Sequence, residues 1–150
     1  MAPISPSSDM PRDPSWPAWQ LDLEALAKSE GDMAIAVCLT HDVVPAVKAH
    51  IAASLPQVSS LLIARPTCSA GAKSVICGPH AFDLAEALSL QINLKPQINR
   101  PPLHLFIAAP NAFTFFLGQR QPGLGKTTLY EYDFEGGNGG GYKPSLALPI

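Results

Sequence analysis

The stretch PLHLFIAAPNAFTFFLGQ, residues 102–119, decides how this chain folds. Its first half is a short, nearly continuous apolar run, which suits a strand buried on both faces of a parallel sheet; a strand with one wet face would alternate. Pro110 ends that run. Asn111 then stands where a helix N-cap is expected, its side-chain oxygen suited to the first free backbone N–H groups. NAFTFFLGQ (111–119) reads as the helix. A buried strand that passes directly into a helix is half of a β-α-β unit.

The same step occurs twice upstream. DMAIAVCLT (32–40) is a short, nearly continuous apolar run, and HDVVPAVKAHIAASL (41–55) follows with Val43, Val44, Val47, Ile51 and Leu55 at helical spacing. Asp42 is the expected N-cap there, and Pro45 falls in the first turn, where its missing N–H costs little. SSLLIARP (59–66) is a second strand, stopped by Pro66. After the loop TCSAGAKSVICG, PHAFDLAEALSLQINL (79–94) carries the stripe Phe82, Leu84, Ala85, Leu88 and Ile92. The pattern changes at the end: TTLYEYDF (127–134), the turn EGGNGGG and YKPSLALP (142–149) read as a hairpin. The expected fold is therefore α/β, a Rossmann-like, mainly parallel sheet flanked by helices, with a C-terminal β-hairpin.

Composition narrows the function classes. With 150 residues, 47% of them hydrophobic, the chain has material for one core, which at this size buries roughly 70% of the unfolded surface. The start, MAPISPSSDMPRDPSWPAW, is rich in Pro and Ser and lacks the regions of a signal peptide. Residues 1–19 are thus expected as a flexible tail or linker, with Trp16 and Trp19 as candidates to dock on the core, and residues 20–150 as one domain. A net charge of -2 with 15% charged residues argues against a basic DNA-binding groove or a polybasic membrane patch. No apolar run approaches the roughly 20 residues of a membrane helix. Three cysteines, Cys38, Cys68 and Cys77, fit neither a disulfide scaffold nor paired metal spacing and read as buried free thiols in a reducing cytoplasm. No metal or cofactor is expected.

GQRQPGLGKTT (118–128) contains a Gly-Lys-Thr, yet a phosphate-binding loop needs glycine five residues before Gly125, and that residue is Arg120. The context is also reversed, since this segment leaves a helix and enters a strand. Gly118 is expected instead as the left-handed residue ending the helix, with Pro122 and Gly123 turning the chain and Lys126 a solvated charge.

Open sheets of this class bind ligands beyond the carboxyl ends of their strands, at a topological switch point. That rule selects Thr40, His41 and Asp42, then Arg65, then Pro110 and Asn111 as the rim of a site. The helix opening at Asn111 offers free N–H groups and a positive dipole end to an anion; Asn111 either reads a ligand or simply caps its helix. Thr40, His41 and Asp42 either position a ligand or form a cap beside a surface histidine. His50, His80 and His104 match no metal spacing and read as structural or solvated. No GxSxG nucleophile elbow is present. The chain shows a binding rim without an evident catalytic engine, although sequence alone does not decide against a Ser/His/Asp triad.

Several segments carry a family resemblance. LHLFIAAPNAFTFFLGQ and TLYEYDFEGGNGGGYKPSLALP, with GPHAFDLAEAL and DMAIAVCLTHDVVPAVKAHI, are similar to SAVED domains, the sensor modules of bacterial anti-phage CBASS effectors. The resemblance spans roughly residues 32–150. It implies recognition of a cyclic di- or trinucleotide second messenger, adenine-containing, made by a nucleotidyltransferase after infection. SAVED domains resemble two fused CARF-type Rossmann units that share the messenger, and ligand-driven oligomerisation switches on a fused effector. One unit is present here, similar to the C-terminal half, so an effector domain or a partner chain is implied as the source of the other. In such a site Phe113 or Tyr142 is the expected stacking partner for adenine, and Arg65 and Lys143 are either its fixed cations or ordinary surface charges. Two other readings stay open: an interaction module that scaffolds an effector without touching nucleotide, and a small hydrolase, including one that degrades the messenger.

Overall fold

The structure is a computed structural model that describes residues 14–26, 30–93, 100–133 and 141–148. Among the described residues ten elements follow in order: β1 (Trp19–Ala25), β2 (Asp32–Cys38), α1 (Val44–Ser54), β3 (Val58–Pro66), α2 (Gly78–Ile92), β4 (Leu103–Ala108), α3 (Asn111–Gln119), the one-turn α4 (Gln121–Leu124), β5 (Thr127–Asp133) and β6 (Gly141–Leu148). The strands form one sheet in the order β1-β3-β2-β4-β5-β6. β3-β2, β2-β4 and β4-β5 pair in parallel, and antiparallel β1 and β6 close the two edges.

The three central strands carry the apolar runs because both their faces are covered. Ile35 and Val37 of β2 point to one side with Leu62, Ala64 and Leu105, under Leu84, Ala85 and Leu88 of α2 and Phe113 and Leu117 of α3. Ala34, Ala36 and Cys38 point to the other with Leu61, Ile63 and Phe106, under Val44, Val47 and Ile51 of α1. The small residues of β2 on this second face let one helix settle close to the sheet. The result is a helix–sheet–helix sandwich, as the periodicities require.

Four local expectations are corrected. First, the chain is already strand at Trp19: β1 pairs along its length with β3, from Trp19 opposite Pro66 to Ala25 opposite Ser60. Trp19 donates its indole N–H to the Leu84 carbonyl at 2.8 Å, which removes it from the tail. Second, Gly118 lies inside α3 and has no left-handed conformation. The positive φ falls at Gly125, 82°, after α4 is built from the Pro122–Gly123 stretch. A residue with a Cβ is disfavoured in that conformation, so glycine is needed where α4 gives way to β5. Third, α3 starts one residue earlier than a cap at Asn111 allows: Pro110 is the cap residue, and Asn111 is the first helical residue, exposed and without a capping bond. Fourth, Phe82 is only half-buried and turns to Phe116 of α3, ring centroids 5.2 Å apart. The hairpin is present as β5 and β6, while its turn at residues 134–140 and the tail at 1–13 lie outside the described residues.

Candidate functional site

β2 leads through α1 to β3 on one side, and β4 lies on its other side, so the chains leaving β2 and β4 part at the carboxyl ends of these strands. The ends themselves are tied. Leu39 N–H and Thr40 N–H both donate to the Ala108 carbonyl, at 2.8 and 2.9 Å. The Leu39 carbonyl in turn accepts from Gly71 N–H at 2.9 Å and from the Ser74 hydroxyl at 2.6 Å. The β3–α2 loop is thereby folded back over the end of β2.

Between that loop and the end of β2 lies a cavity of about 410 Å³, lined by Gln20, Cys38, Asp42, Arg65, Pro66 and the segment Thr67–Ala70. Asp42 and Arg65 organise its mouth. Arg65 donates from Nε and Nη2 to Asp42 Oδ2, at 3.3 and 3.1 Å. The other carboxylate oxygen accepts from Val44 N–H at 3.0 Å and from the Cys38 thiol at 3.7 Å. Asp42 thus caps α1 from one position outside the formal cap residue, Val43, as the sequence led one to expect of it. The Val44 N–H, more than the neighbouring guanidinium, holds the Asp42 carboxyl below its ordinary range, against the opposing pull of burial. Burial pushes the Cys38 thiol up, and the Asp42 charge adds to it. Of the three cysteines expected as buried thiols only Cys38 is buried; Cys68 and Cys77 are exposed, because both lie in the surface loop between β3 and α2.

The expected rim residues divide into those the cavity brings together and those it does not. Asp42 and Arg65 line it. Thr40 and His41 stand on the exposed turn just before Asp42, the Thr40 hydroxyl 3.1 Å from His41 Nδ1. Pro110 and Asn111 follow β4 and are not among the lining residues. Phe113 requires a correction. It is fully buried, edge-on to Trp19 at 5.7 Å, so its ring belongs to the core and is not offered to a base. Helical period explains it: with Asn111 as the first helical residue, Phe113 and Leu117 share the inward face. Tyr142 is half-buried on the α1 side against Phe106, Tyr132 and His50. Burial pushes its phenol up to about 12, with Cys38 and Tyr132 adding to the shift. Lys143 is exposed and sits opposite Glu131 in the β5–β6 register.

Gln20, Thr67, Cys68, Ser69 and Ala70 line the cavity without having been anticipated. TCSA immediately follows a predicted strand, so the carboxyl-end rule already contained it. Gln20 depended on β1.

The histidines are structural where they are buried. His104 bridges Tyr130 OH at 2.7 Å and Asp32 Oδ2 at 2.8 Å. His80 bridges Ile76 N–H and the Pro17 carbonyl, at 2.9 and 2.7 Å. Among the described residues no cluster of His, Cys, Asp or Glu could hold a metal ion, and no helix is long and apolar enough to cross a membrane.

A central parallel sheet between two helical layers, with a cavity at the carboxyl ends of its strands, is a Rossmann-like arrangement, a class whose ligands sit at that edge. The family is also determined. The model of the SAVED family, the "SMODS-associated and fused to various effectors sensor domain", matches residues 6–148, and the chain belongs to that family. It is 34% identical over 117 residues to CD-NTase-associated protein 4 of Enterobacter hormaechei subsp. hoffmannii (strain UCI 50), covering 78% of this chain and 23% of that protein. Its fold is similar to that of part of the Acinetobacter baumannii Cap4 SAVED/CARF-domain containing receptor, 28% of whose chain it covers. The TM-score is 0.64 against the structure with the cyclic trinucleotide 2'3'3'-cAAA, at 22% identity over 89% of this chain. It is 0.61 against the structure with 3'3'3'-cAAA, at 21% identity. The chain spans about a quarter of the length of these relatives, 23% of the first and 28% of the second.

Proposed function

We propose that this chain is the nucleotide-recognising unit of a CBASS sensor, binding a cyclic oligonucleotide of the adenine-containing trinucleotide class at the Asp42–Arg65 cavity. In this reading the single SAVED domain expected over residues 20–150 begins no later than Trp19, with β1, and is similar to the C-terminal CARF-like half. The observation that carries it is Arg65, a guanidinium held by Asp42 at the mouth of a 410 Å³ cavity beyond the ends of β2 and β3. A guanidinium already oriented loses little freedom on meeting a phosphate and offers it paired donors. Thr67, Ser69 and Gln20 supply donors and acceptors for base edges or ribose hydroxyls. Thr40, His41 and the first turn of α3 at Pro110 and Asn111 extend the same edge of the sheet for the rest of the ring. Tyr142 and Lys143 stand further along it.

A ring of several nucleotides exceeds one such cavity. A partner half or a second copy therefore closes over it, and association of the ligand-bound chains switches on the effector. The test is calorimetric titration of the full chain with 3'3'3'-linked and 2'3'3'-linked cyclic tri-adenylate and with linear tri-adenylate as control, followed by sizing with and without ligand. Binding of a cyclic form with growth in size supports the reading. Absence of binding to either cyclic form at millimolar concentration contradicts it.

A further inference from the structure

The segment just before β1 is sewn to both ends of the loop that floors the cavity. At the loop's start, Thr67 N–H donates to the Ala18 carbonyl at 2.9 Å, and Ala18 N–H donates back to Thr67 Oγ1 at 3.1 Å. At its end, His80 joins the two. Its Nδ1 accepts from Ile76 N–H, and its Nε2 meets the Pro17 carbonyl. An amide is only a donor and a carbonyl only an acceptor, so the imidazole carries its proton on Nε2 and both nitrogens are used. His80 is fully buried, with the Trp16 ring over it at 5.2 Å. Trp19 anchors the far end of the segment through the Leu84 carbonyl.

The loop between these ties is itself fixed at one place. Ser74, fully buried although its neighbours Lys73 and Ile76 are exposed, bonds its hydroxyl to the Leu39 and Gly71 carbonyls. Thr67, Cys68, Ser69 and Ala70 face the cavity in the same span. A group entering the cavity touches the first four residues of a loop whose two ends are bonded to Trp16–Ala18 and whose middle is bonded to the end of β2.

We propose that Trp16–Ala18 is a coupling strap: rearrangement of the Thr67–Cys77 loop at the cavity is passed through Thr67 and His80 to the chain that precedes Trp16. This rests on the ligand reading above for the source of the rearrangement, while the mechanical link stands in the free protein. Such a link requires that the loop and strap have two joint arrangements whose balance the cavity and the strap both bias, which the experiment below reads out.

The two tryptophans of the sequence, Trp16 and Trp19, are both at this place, so they report it without engineering. The full chain labelled with 5-fluorotryptophan gives two fluorine resonances, assigned with Trp16→Phe. Without ligand, Ser74→Ala should shift the Trp16 resonance, and His80→Asn should speed amide exchange at Gly71 and Ser74 roughly tenfold, the effect of one hydrogen bond, while Leu105 in β4 is unchanged. Ser74→Cys serves if the alanine variant misfolds. With 3'3'3'-linked cyclic tri-adenylate, the Trp16 shift should follow the calorimetric isotherm. If the folded Ser74 variants leave Trp16 in place and His80→Asn leaves the loop amides protected, the strap is overturned whatever binds. If tri-adenylate binds and neither resonance moves, the coupling is overturned and the ligand reading survives. If none binds, the ligand-free arms still decide the strap.

Discussion

Arg65 and Asp42 share one oxygen: two guanidinium nitrogens donate to Oδ2 at 3.3 and 3.1 Å, while Oδ1 is left to cap α1. The two side chains are 37% and 50% exposed, so solvent screens the pair and it adds little to stability. Its consequence is orientation. The carboxylate is fixed by the helix, and the guanidinium is fixed by the carboxylate.

Arg65→Ala should therefore weaken binding of a cyclic trinucleotide roughly 10- to 100-fold, the range of a charge-assisted hydrogen bond, with the melting temperature nearly unchanged. Arg65→Lys should recover only part of the loss, because an ammonium lacks the paired donors. Calorimetry beside a thermal melt separates the two quantities.

Asp42 carries two roles that two substitutions resolve. Asp42→Ala removes the cap and should cost about 1 kcal/mol of stability. Asp42→Asn keeps a capping oxygen at Val44 N–H but weakens the hold on Arg65, so it should melt close to wild type and bind messenger less tightly. The depressed carboxyl also has a pH signature. Its stabilisation is present above about 3.9, the ordinary carboxylate value, and is lost as pH falls below it through the folded-state value. Asp42→Asn should flatten acid unfolding in that window.

His50 gives the opposite kind of signature at milder pH. Burial, and then the nearby His104, lowers its basicity, so the folded state resists protonation where the unfolded chain accepts it. Stability should be full above about 6.5 and decline as pH falls below it toward the folded-state value. His50→Phe, which keeps the ring among Phe106, Tyr130 and Tyr142, should remove that decline in melts recorded between pH 7 and pH 5.

Asn111 and Phe113 should exchange the roles their residue types suggest. Asn111 makes no cap, so Asn111→Ala should change stability by less than about 0.5 kcal/mol. Phe113→Ala opens a cavity under α3 and should cost about 3–5 kcal/mol. Chemical denaturation of the two variants checks the pair.

Much of this architecture was legible because period and burial coincide. DMAIAVC, LLIA and LHLFIA are apolar on both faces, which a central parallel strand alone demands, and the helices between them carry single stripes. β1 was missed although Trp19, Leu21, Leu23 and Ala25 alternate with Gln20, Asp22 and Glu24, the period of a strand. Proline and serine just upstream masked it. At the rim, the carboxyl-end rule located Asp42 and Arg65, which local chemistry then joined. It could not exclude Phe113, because one residue of helix phase turns a rim ring into a core ring, and that phase was set by Pro110 taking the cap position. The TCSA loop lacked any signature of its own; only folding back onto Leu39 gives it a floor to form.

Binding of a cyclic oligonucleotide at Arg65 and Asp42 is the central claim. Calorimetric titration of wild type, Arg65→Ala and Lys126→Ala with cyclic tri-adenylate tests that most directly. The prediction is saturable binding by wild type and by Lys126→Ala, with affinity lowered at least roughly tenfold in Arg65→Ala. Equal affinity in all three proteins, or loss at Lys126 with Arg65 neutral, would contradict the site.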